Sequence, residues 1–182
     1  MTALVRFGLC LLLLLGVAVP PEAARAQSET GAAPQEQAPA ARLGRSGLPL
    51  PRFVSLRAPK VNMRTGPGIR YPIDWVYSRA GLPLEVIEEF ETWRRVRDWE
   101  GSVGWVHQSM LSGERNAMVV GRQRLVRREP APESAGVALV EAGVIGRLLG
   151  CDGGWCRIEV KGFEGWIRRS AVYGVYPDEA VR

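Results

Sequence analysis

The sequence predicts an all-β protein built from two tandem copies of one small β unit. From Arg52 onward, apolar residues come in short runs broken by Gly, Pro and Asp, without sustained helical periodicity. The block Gly104–Val106 recurs as Gly165–Ile167 at an offset of 61 residues, and Trp93 recurs as Trp155 at an offset of 62. Short strands in repeats of about sixty residues indicate two small barrels.

The N-terminus has the pattern of a secretory signal peptide over residues 1–26. Thirteen apolar residues, 7–19, precede the cleavage-like Ala24-Arg25-Ala26. This run is shorter than the roughly 20 residues that span a bilayer. An uncleaved anchor is the alternative, and Cys10 lacks the small neighbours of a lipoprotein cleavage site. We therefore expect a periplasmic or secreted protein without a stable membrane anchor.

Composition sets the next boundaries. Residues 27–51 are rich in Ala, Pro, Gln, Glu and Gly, which predicts a disordered linker, followed by domains at 52–113 and 114–177. The formal net charge is +5. It falls to +4 without residues 1–26, which hold two Arg and one Glu. This balance is too small to indicate nucleic-acid binding. Peptidoglycan, lipid headgroups and proteins remain as possible partners outside the cytoplasm.

Two cysteines remain after residue 26. Cys151 and Cys156 flank a turn at residues 152–155, and opposed residues of a hairpin lie within disulfide range. An oxidising compartment favours the disulfide over the alternative, two reduced buried thiols. One Cys pair and a single His make a poor metal site, so we expect neither a metal nor a cofactor.

Four blocks of the first copy resemble the bacterial SH3-like (SH3b) domain. They are Asn62–Gly68, Gly81–Val86, Trp93 with Val96, and Gly104–Val106. The resemblance implies a small, strongly bent barrel of five or six antiparallel strands. It also implies a non-catalytic targeting module, since some members of this family bind the cell wall and others bind proteins.

The second copy is a degenerate relative, and the two copies together cover roughly residues 52–176. It keeps the Trp155 and Gly165-Trp166 positions but has Glu129 and Ala131 in place of the two glycines of the first loop. Its first loop must therefore differ.

Strand parity gives the main candidate for ligand binding. In the strand that contains Val96, residues of one parity face the core, so Trp93 should point outward with Arg95 and Arg97. The same holds for Trp155. Such a Trp either lines a ligand groove, as is common in SH3-like folds, or is covered by a loop or by the other copy. The sequence leaves these alternatives open.

Further candidates lie around this position. Tyr71 should be exposed in the first loop, and Trp99 occupies the tip of a turn. The SH3-like topology implies that His107 and Met110 lie beside the groove, although a solvated surface His is the alternative.

Trp75 and Tyr77 share parity and match apolar residues of the second copy, which favours burial of both.

We therefore expect an exported, non-catalytic protein that recognises peptidoglycan or an envelope component. The alternative is an adaptor, or a subunit of an envelope complex, with vestigial grooves. No Ser or Cys lies in a recognisable nucleophile motif. Once both copies are assigned, no catalytic domain remains, so we do not expect an enzyme.

Overall fold

The structure is a computed structural model that describes residues 42–181. The predicted signal peptide and residues 27–41 of the predicted linker lie outside the described residues. Within residues 42–181, no helix has the length and apolar character needed to cross a membrane. The described part is built from strands, with two 3₁₀ turns.

The first copy contains nine strands and one 3₁₀ turn at Gln108–Met110. The strands are β1 Arg42–Leu43, β2 Pro49–Leu50, β3 Arg52–Leu56, β4 Val61–Arg64, β5 Ile73–Tyr77, β6 Pro83–Phe90, β7 Trp93–Arg97, β8 Val103–His107 and β9 Leu111–Ser112.

The second copy contains seven strands and a 3₁₀ turn at Arg169–Ala171. The strands are β10 Asn116–Val119, β11 Arg124–Arg127, β12 Gly136–Val140, β13 Ile145–Asp152, β14 Trp155–Val160, β15 Phe163–Arg168 and β16 Val172–Tyr173.

The two copies share one topology. The first sheet has the order β5-β4-β8-β7-β6-β3-β9, and the second has the order β12-β11-β15-β14-β13-β10-β16. Every pairing within them is antiparallel. Each strand of the second sheet occupies the place of its counterpart in the first. The prediction of an all-β tandem repeat is therefore confirmed, although the edge strands of each sheet do not pair with each other.

Each sheet surrounds its own apolar core. The first contains residues such as Leu84, Val86 and Val96, and the second contains Cys156, Ile158 and Ile167. Cys151 and Cys156 lie opposite each other on β13 and β14 and form the expected disulfide.

The cores are not independent. Met118 lies on β10 of the second copy but packs in the core of the first, where it is 4% exposed. Ile145 of β13 packs against the same core. The two copies are therefore docked and share apolar contacts.

A polar contact accompanies this shared packing. The Phe53 ring lies 5.2 Å from that of Tyr173 and 4.7 Å from that of Tyr176. The Tyr176 hydroxyl donates to Glu85 at 2.9 Å, and the Tyr173 hydroxyl donates to the Arg97 carbonyl at 2.9 Å. Glu85 is 6% exposed and also accepts from the Arg97 guanidinium at 2.8 Å. Burial, reinforced by the Glu85 charge, raises the pKa of both tyrosines.

The second copy extends past residue 177, where the sequence placed its end. Glu179 accepts from both terminal nitrogens of Arg115, at 2.5 and 3.0 Å. Val181 pairs with Cys151 at the end of β13. These contacts attach the last residues to the second sheet.

The expectation of a linker up to residue 51 is wrong for residues 42–51. They form the β1–β2 hairpin, and Leu50 is buried in the first core. The Ser46 backbone N–H and hydroxyl both donate to Glu89, at 2.8 and 2.7 Å. Composition did not reveal this order because the acceptor lies 43 residues away in the sequence.

Glu89 is the centre of a buried ionic cluster. Its carboxylate accepts from Ser46 and from Arg52 at 2.7 Å, and Arg94 lies 3.3 Å away. Arg94 is 7% exposed, so it differs from the solvated arginines around it. Burial by itself would raise the pKa of the Glu89 carboxyl, but the bonds from Ser46 and Arg52 and the Arg94 charge lower it to about 2.

We expect Glu89→Gln to weaken the fold and to flatten its loss of stability in acid. The folded-state pKa of Glu89 lies below its unfolded value, so the carboxylate stabilises the fold above about pH 5. That contribution, on the order of 3 kcal/mol, is lost as the pH falls toward 2. Urea unfolding at a series of pH values measures it. Glu88→Gln is the matched control, because the Glu88 side chain is 45% exposed whereas that of Glu89 is buried. Equal pH profiles for the two variants would contradict the prediction.

We expect Tyr176→Phe to destabilise the docked pair by about 1–3 kcal/mol, because it leaves the buried Glu85 carboxylate without one donor. Tyr71→Phe is the control, since the Tyr71 side chain is exposed, and its effect should stay within about 0.5 kcal/mol. Urea unfolding measures both. Equal effects of the two variants would mean that the Tyr176 hydroxyl does not hold the copies together.

Candidate functional site

A groove of about 380 Å³ lies on the first copy, between β4, the ends of β7 and β8, and the 3₁₀ turn. Trp93, His107 and Met110 line it, together with Asn62 and Ile69. Three of the five side chains predicted for ligand binding therefore lie together. Tyr71 and Trp99 do not line this groove.

Trp93 is buried, although its strand parity predicted an outward side chain. It is 9% exposed and absent from the core cluster of the first copy. Its ring centroid lies 5.3 Å from that of His107, at an interplanar angle of 79°. Because His107 packs edge-on against the indole, Trp93 presents only a small part of its ring to the groove.

His107 is held by the turn that follows it. The Ser109 backbone N–H donates to Nδ1 at 3.3 Å, and the Ser109 hydroxyl lies 2.7 Å from the same nitrogen. Since Nδ1 accepts from the backbone, the proton of a neutral His107 lies on Nε2, which remains a donor. The His107 side chain thus caps the 3₁₀ turn.

The first loop is closed by Arg64, whose guanidinium donates to the carbonyls of Ile69 at 3.0 Å and Tyr71 at 2.7 Å. The Tyr71 ring packs over Gly66, where a Cβ would collide with it. Tyr71 therefore stabilises the loop and is 36% exposed. Ile69, and not Tyr71, lines the groove. The sequence pattern did not show that Ile69, and not Tyr71, lines the groove, because this depends on the folded shape of the first loop.

Trp99 lies elsewhere, in the turn between β7 and β8. Together with Trp75 it lines a second, apolar cleft that faces the other copy. Trp75 is 53% exposed, so its expected burial is wrong, whereas Tyr77 is 2% exposed as expected. The Tyr77 hydroxyl donates to the buried Asp98 carboxylate at 3.2 Å. Strand parity puts Trp75 and Tyr77 on one face of the sheet. It does not show that the core covers Tyr77 but does not extend to Trp75.

The second copy has a smaller groove of about 200 Å³ in the equivalent place. Arg168 replaces His107, and its guanidinium lies 4.1 Å from the Trp155 ring centroid, in cation–π distance. Ala171 takes the place of Met110. The groove of the first copy is therefore the larger one, and in the second Arg168 covers the Trp155 ring.

Both grooves are lined by cations and by no carboxylate of the described residues. Lys60 and Arg64 line the first, and Arg124, Arg127 and Arg168 line the second. An apolar wall with a few donors suits a neutral or anionic ligand held by stacking and hydrogen bonds. Within residues 42–181, no three His, Cys, Asp or Glu side chains cluster as metal ligands would.

Asn62 and Ile69 are among the residues of the first groove that sequence analysis missed. Asn62 is exposed on β4 and Ile69 is 83% exposed in the first loop. Asn62 is one of the positions that the second copy lacks, having Leu125 there, and this difference was the available signal. Ile69 gave no signal, since an apolar loop residue is as often packed as exposed.

Comparison with solved structures finds matches of low identity and low TM-score. NlpC2 from Trichomonas vaginalis matches with a TM-score of 0.32 and 16% identity, over 68% of this chain and 48% of that protein. NlpC1 from the same organism matches with 0.32 and 16%, over 67% and 45%. An NlpC/P60 family protein from Bacillus cereus ATCC 10987 matches with 0.31 and 13%, over 66% and 55%. The chain spans about half the length of these proteins.

No curated protein sequence matches the chain. A sequence profile described as "Bacterial SH3 domain" matches residues 57–113 and again residues 121–174. The two matches cover more than half of the chain, and each falls on one of the two sheets, without its strand β3 or β10. The chain therefore belongs to the bacterial SH3 domain family, as a tandem pair.

Proposed function

We propose that this chain is an exported, non-catalytic binding protein that recognises peptidoglycan through the groove of its first copy. Bacterial SH3 domains are typically binding modules without catalysis. The volume of its groove supports the first copy as the one that binds the ligand. This volume is about 380 Å³, against about 200 Å³ for the groove of the second copy. The signal-peptide pattern of residues 1–26 supports export.

The groove supplies the contacts that a glycan–peptide polymer requires. Trp93, Ile69 and Met110 form its apolar wall, and Asn62 and His107 offer polar groups beside it. Such walls bind sugar rings or alkyl side chains by stacking, while the polar groups set orientation. The nearby cations favour the carboxylates that peptidoglycan carries.

An adaptor function is the second candidate, and the second copy favours it. Arg168 covers Trp155 in the groove there, and the copies are docked through Phe53, Tyr173 and Tyr176. Under this alternative the grooves are vestigial and the outer surface binds a protein of the envelope. Recovery of one stoichiometric protein from envelope extract, together with no retention on purified peptidoglycan, would support the adaptor.

We expect the full chain to be retained on purified insoluble peptidoglycan and Trp93→Ala to lose about tenfold or more of that retention. Trp155→Ala is the matched control, because Trp155 has the same 9% exposure in the equivalent position. It should leave retention unchanged. Cosedimentation at low and moderate salt is the measurement, with circular dichroism to establish that both variants are folded.

Two further variants keep this test decisive if Trp93→Ala unfolds. Asn62→Leu and Met110→Ala copy the residues of the second groove at exposed or half-buried positions. Both should weaken retention while the fold persists. Retention that vanishes at moderate salt in every variant would show only charge attraction. Equal retention of wild type and groove variants at moderate salt would rule out the groove as the binding site.

A further inference from the structure

The cleft that contains Trp99 lies between the two copies and has a volume of about 430 Å³. One wall is the run from Trp75 to Arg79 with Trp99. The other is formed by residues 118–121 and 142–143 of the second copy. Clefts of this size hold a large side chain or a small ligand. The cleft has no lining residue in common with the groove of the first copy.

Three apolar side chains that line the cleft are partly exposed to solvent. Trp75 is 53% exposed, Trp99 is 37% exposed and Val76 is 42% exposed. Exposed aromatic surface that is contiguous with a cleft is typical of interaction sites, and Trp is enriched in them.

Trp99 is held in position by the turn that carries it. The Asp98 carboxylate accepts from the backbone N–H groups of Glu100 at 3.0 Å and Ser102 at 2.9 Å. Its other oxygen meets the Tyr77 hydroxyl, and Gly101 supplies the positive φ, 88°, at the end of the turn. Asp98 itself is 4% exposed. The indole is thus presented by an ordered turn, which lowers the entropy cost of binding.

The cleft is bordered by an unpaired strand edge. β5 is the terminal strand of the first sheet and pairs with β4 on one side only, among residues 42–181. Asp74 is its single charged residue. The β4–β5 register shifts between Met63 and Arg64, but β5 lacks Lys, Arg and Pro. Such an edge offers backbone N–H and C=O groups to an added strand.

Charge further defines the occupant. The lining residues of the cleft all lie within the described part of the chain. Arg79 is the only charged residue among them. One terminal nitrogen of Arg79 donates to the Gly143 carbonyl at 2.9 Å, and the guanidinium has further N–H donors. A carboxylate on the ligand would meet no carboxylate in the cleft and would be attracted by this cation.

We propose that this cleft docks an extended peptide segment of a partner protein. The segment adds a strand to β5, inserts one large apolar side chain between Trp75 and Trp99, and places a carboxylate near Arg79. Residues 27–41 of this chain do not fit, because they hold no large apolar side chain. A second molecule of this chain that paired β5 to β5 would not fill the cleft, since its β5 could offer only the side chains that already form the cleft wall.

The test uses a phage-displayed library of random 12-residue peptides, selected on immobilised full chain, with the enriched peptides then synthesised. We expect sequences that combine a large apolar residue with a nearby Asp or Glu. Trp75→Ala and Trp99→Ala should each weaken binding of the synthetic peptide about tenfold or more. Arg79→Gln should weaken it less and reduce its salt dependence.

Two matched controls separate this site from the others. Leu139→Ala alters an exposed apolar residue of β12, the edge strand of the second copy, and should leave peptide binding unchanged. Trp93→Ala should leave it unchanged as well, so the cleft and the peptidoglycan groove can fail independently.

Backbone readouts decide whether a strand is added. Peptide binding should slow amide hydrogen exchange in residues 73–77, and methylating alternate backbone nitrogens of the peptide should abolish binding. The proposal is overturned if no peptide is enriched, or if the enriched peptides protect the Trp93 groove instead. It is also overturned if sedimentation shows a dimer that Trp75→Ala dissociates, because a second molecule of this chain then covers the cleft.

Discussion

The buried carboxylate of Glu85 is the contact on which the arrangement of the two copies depends. It accepts from Arg97 of its own copy and from Tyr176 of the second. A carboxylate that is 6% exposed destabilises a fold unless donors surround it, and one of these donors arrives only when the copies dock. The Phe53 ring packs beside it against two tyrosines. Docking in turn forms the cleft between the copies.

The repeats have kept their scaffold and changed their surfaces. Arg64 and Arg127 both close the first loop by donating to a backbone carbonyl, and Arg127 reaches that of Ser134 at 2.6 Å. A carbonyl is present whatever the side chain, so this clamp tolerates change in the loop. The loops themselves differ, because Tyr71 packs over Gly66 whereas the Ser134 hydroxyl accepts from a backbone N–H. The same divergence put Arg168 over Trp155 in the second groove.

The two candidate surfaces of the pair differ in chemistry. The groove of the first copy combines a largely covered indole with Asn62 and His107 and belongs to one repeat alone. The cleft is apolar, is bordered by β5 and exists only because the second copy forms its far wall. A single SH3 domain could offer the first surface but not the second. Tandem docking therefore adds a surface that neither repeat has by itself.

Local pattern in the sequence was enough for the all-β class, the repeat and the disulfide. Strand periodicity, turn residues and the spacing of Cys151 and Cys156 are properties of neighbouring residues, and these depend little on distant contacts. The resemblance to SH3b domains also placed His107 and Met110 beside Trp93. What the tertiary structure alone decided depends on residues far apart in the chain. Ser46 orders the N-terminal hairpin through Glu89, 43 residues away, and Tyr176 docks the copies through Glu85, 91 residues away. Side-chain periodicity shows which face a residue lies on but not what covers that face, so only the folded pair shows that Trp93 is covered and Trp75 is not.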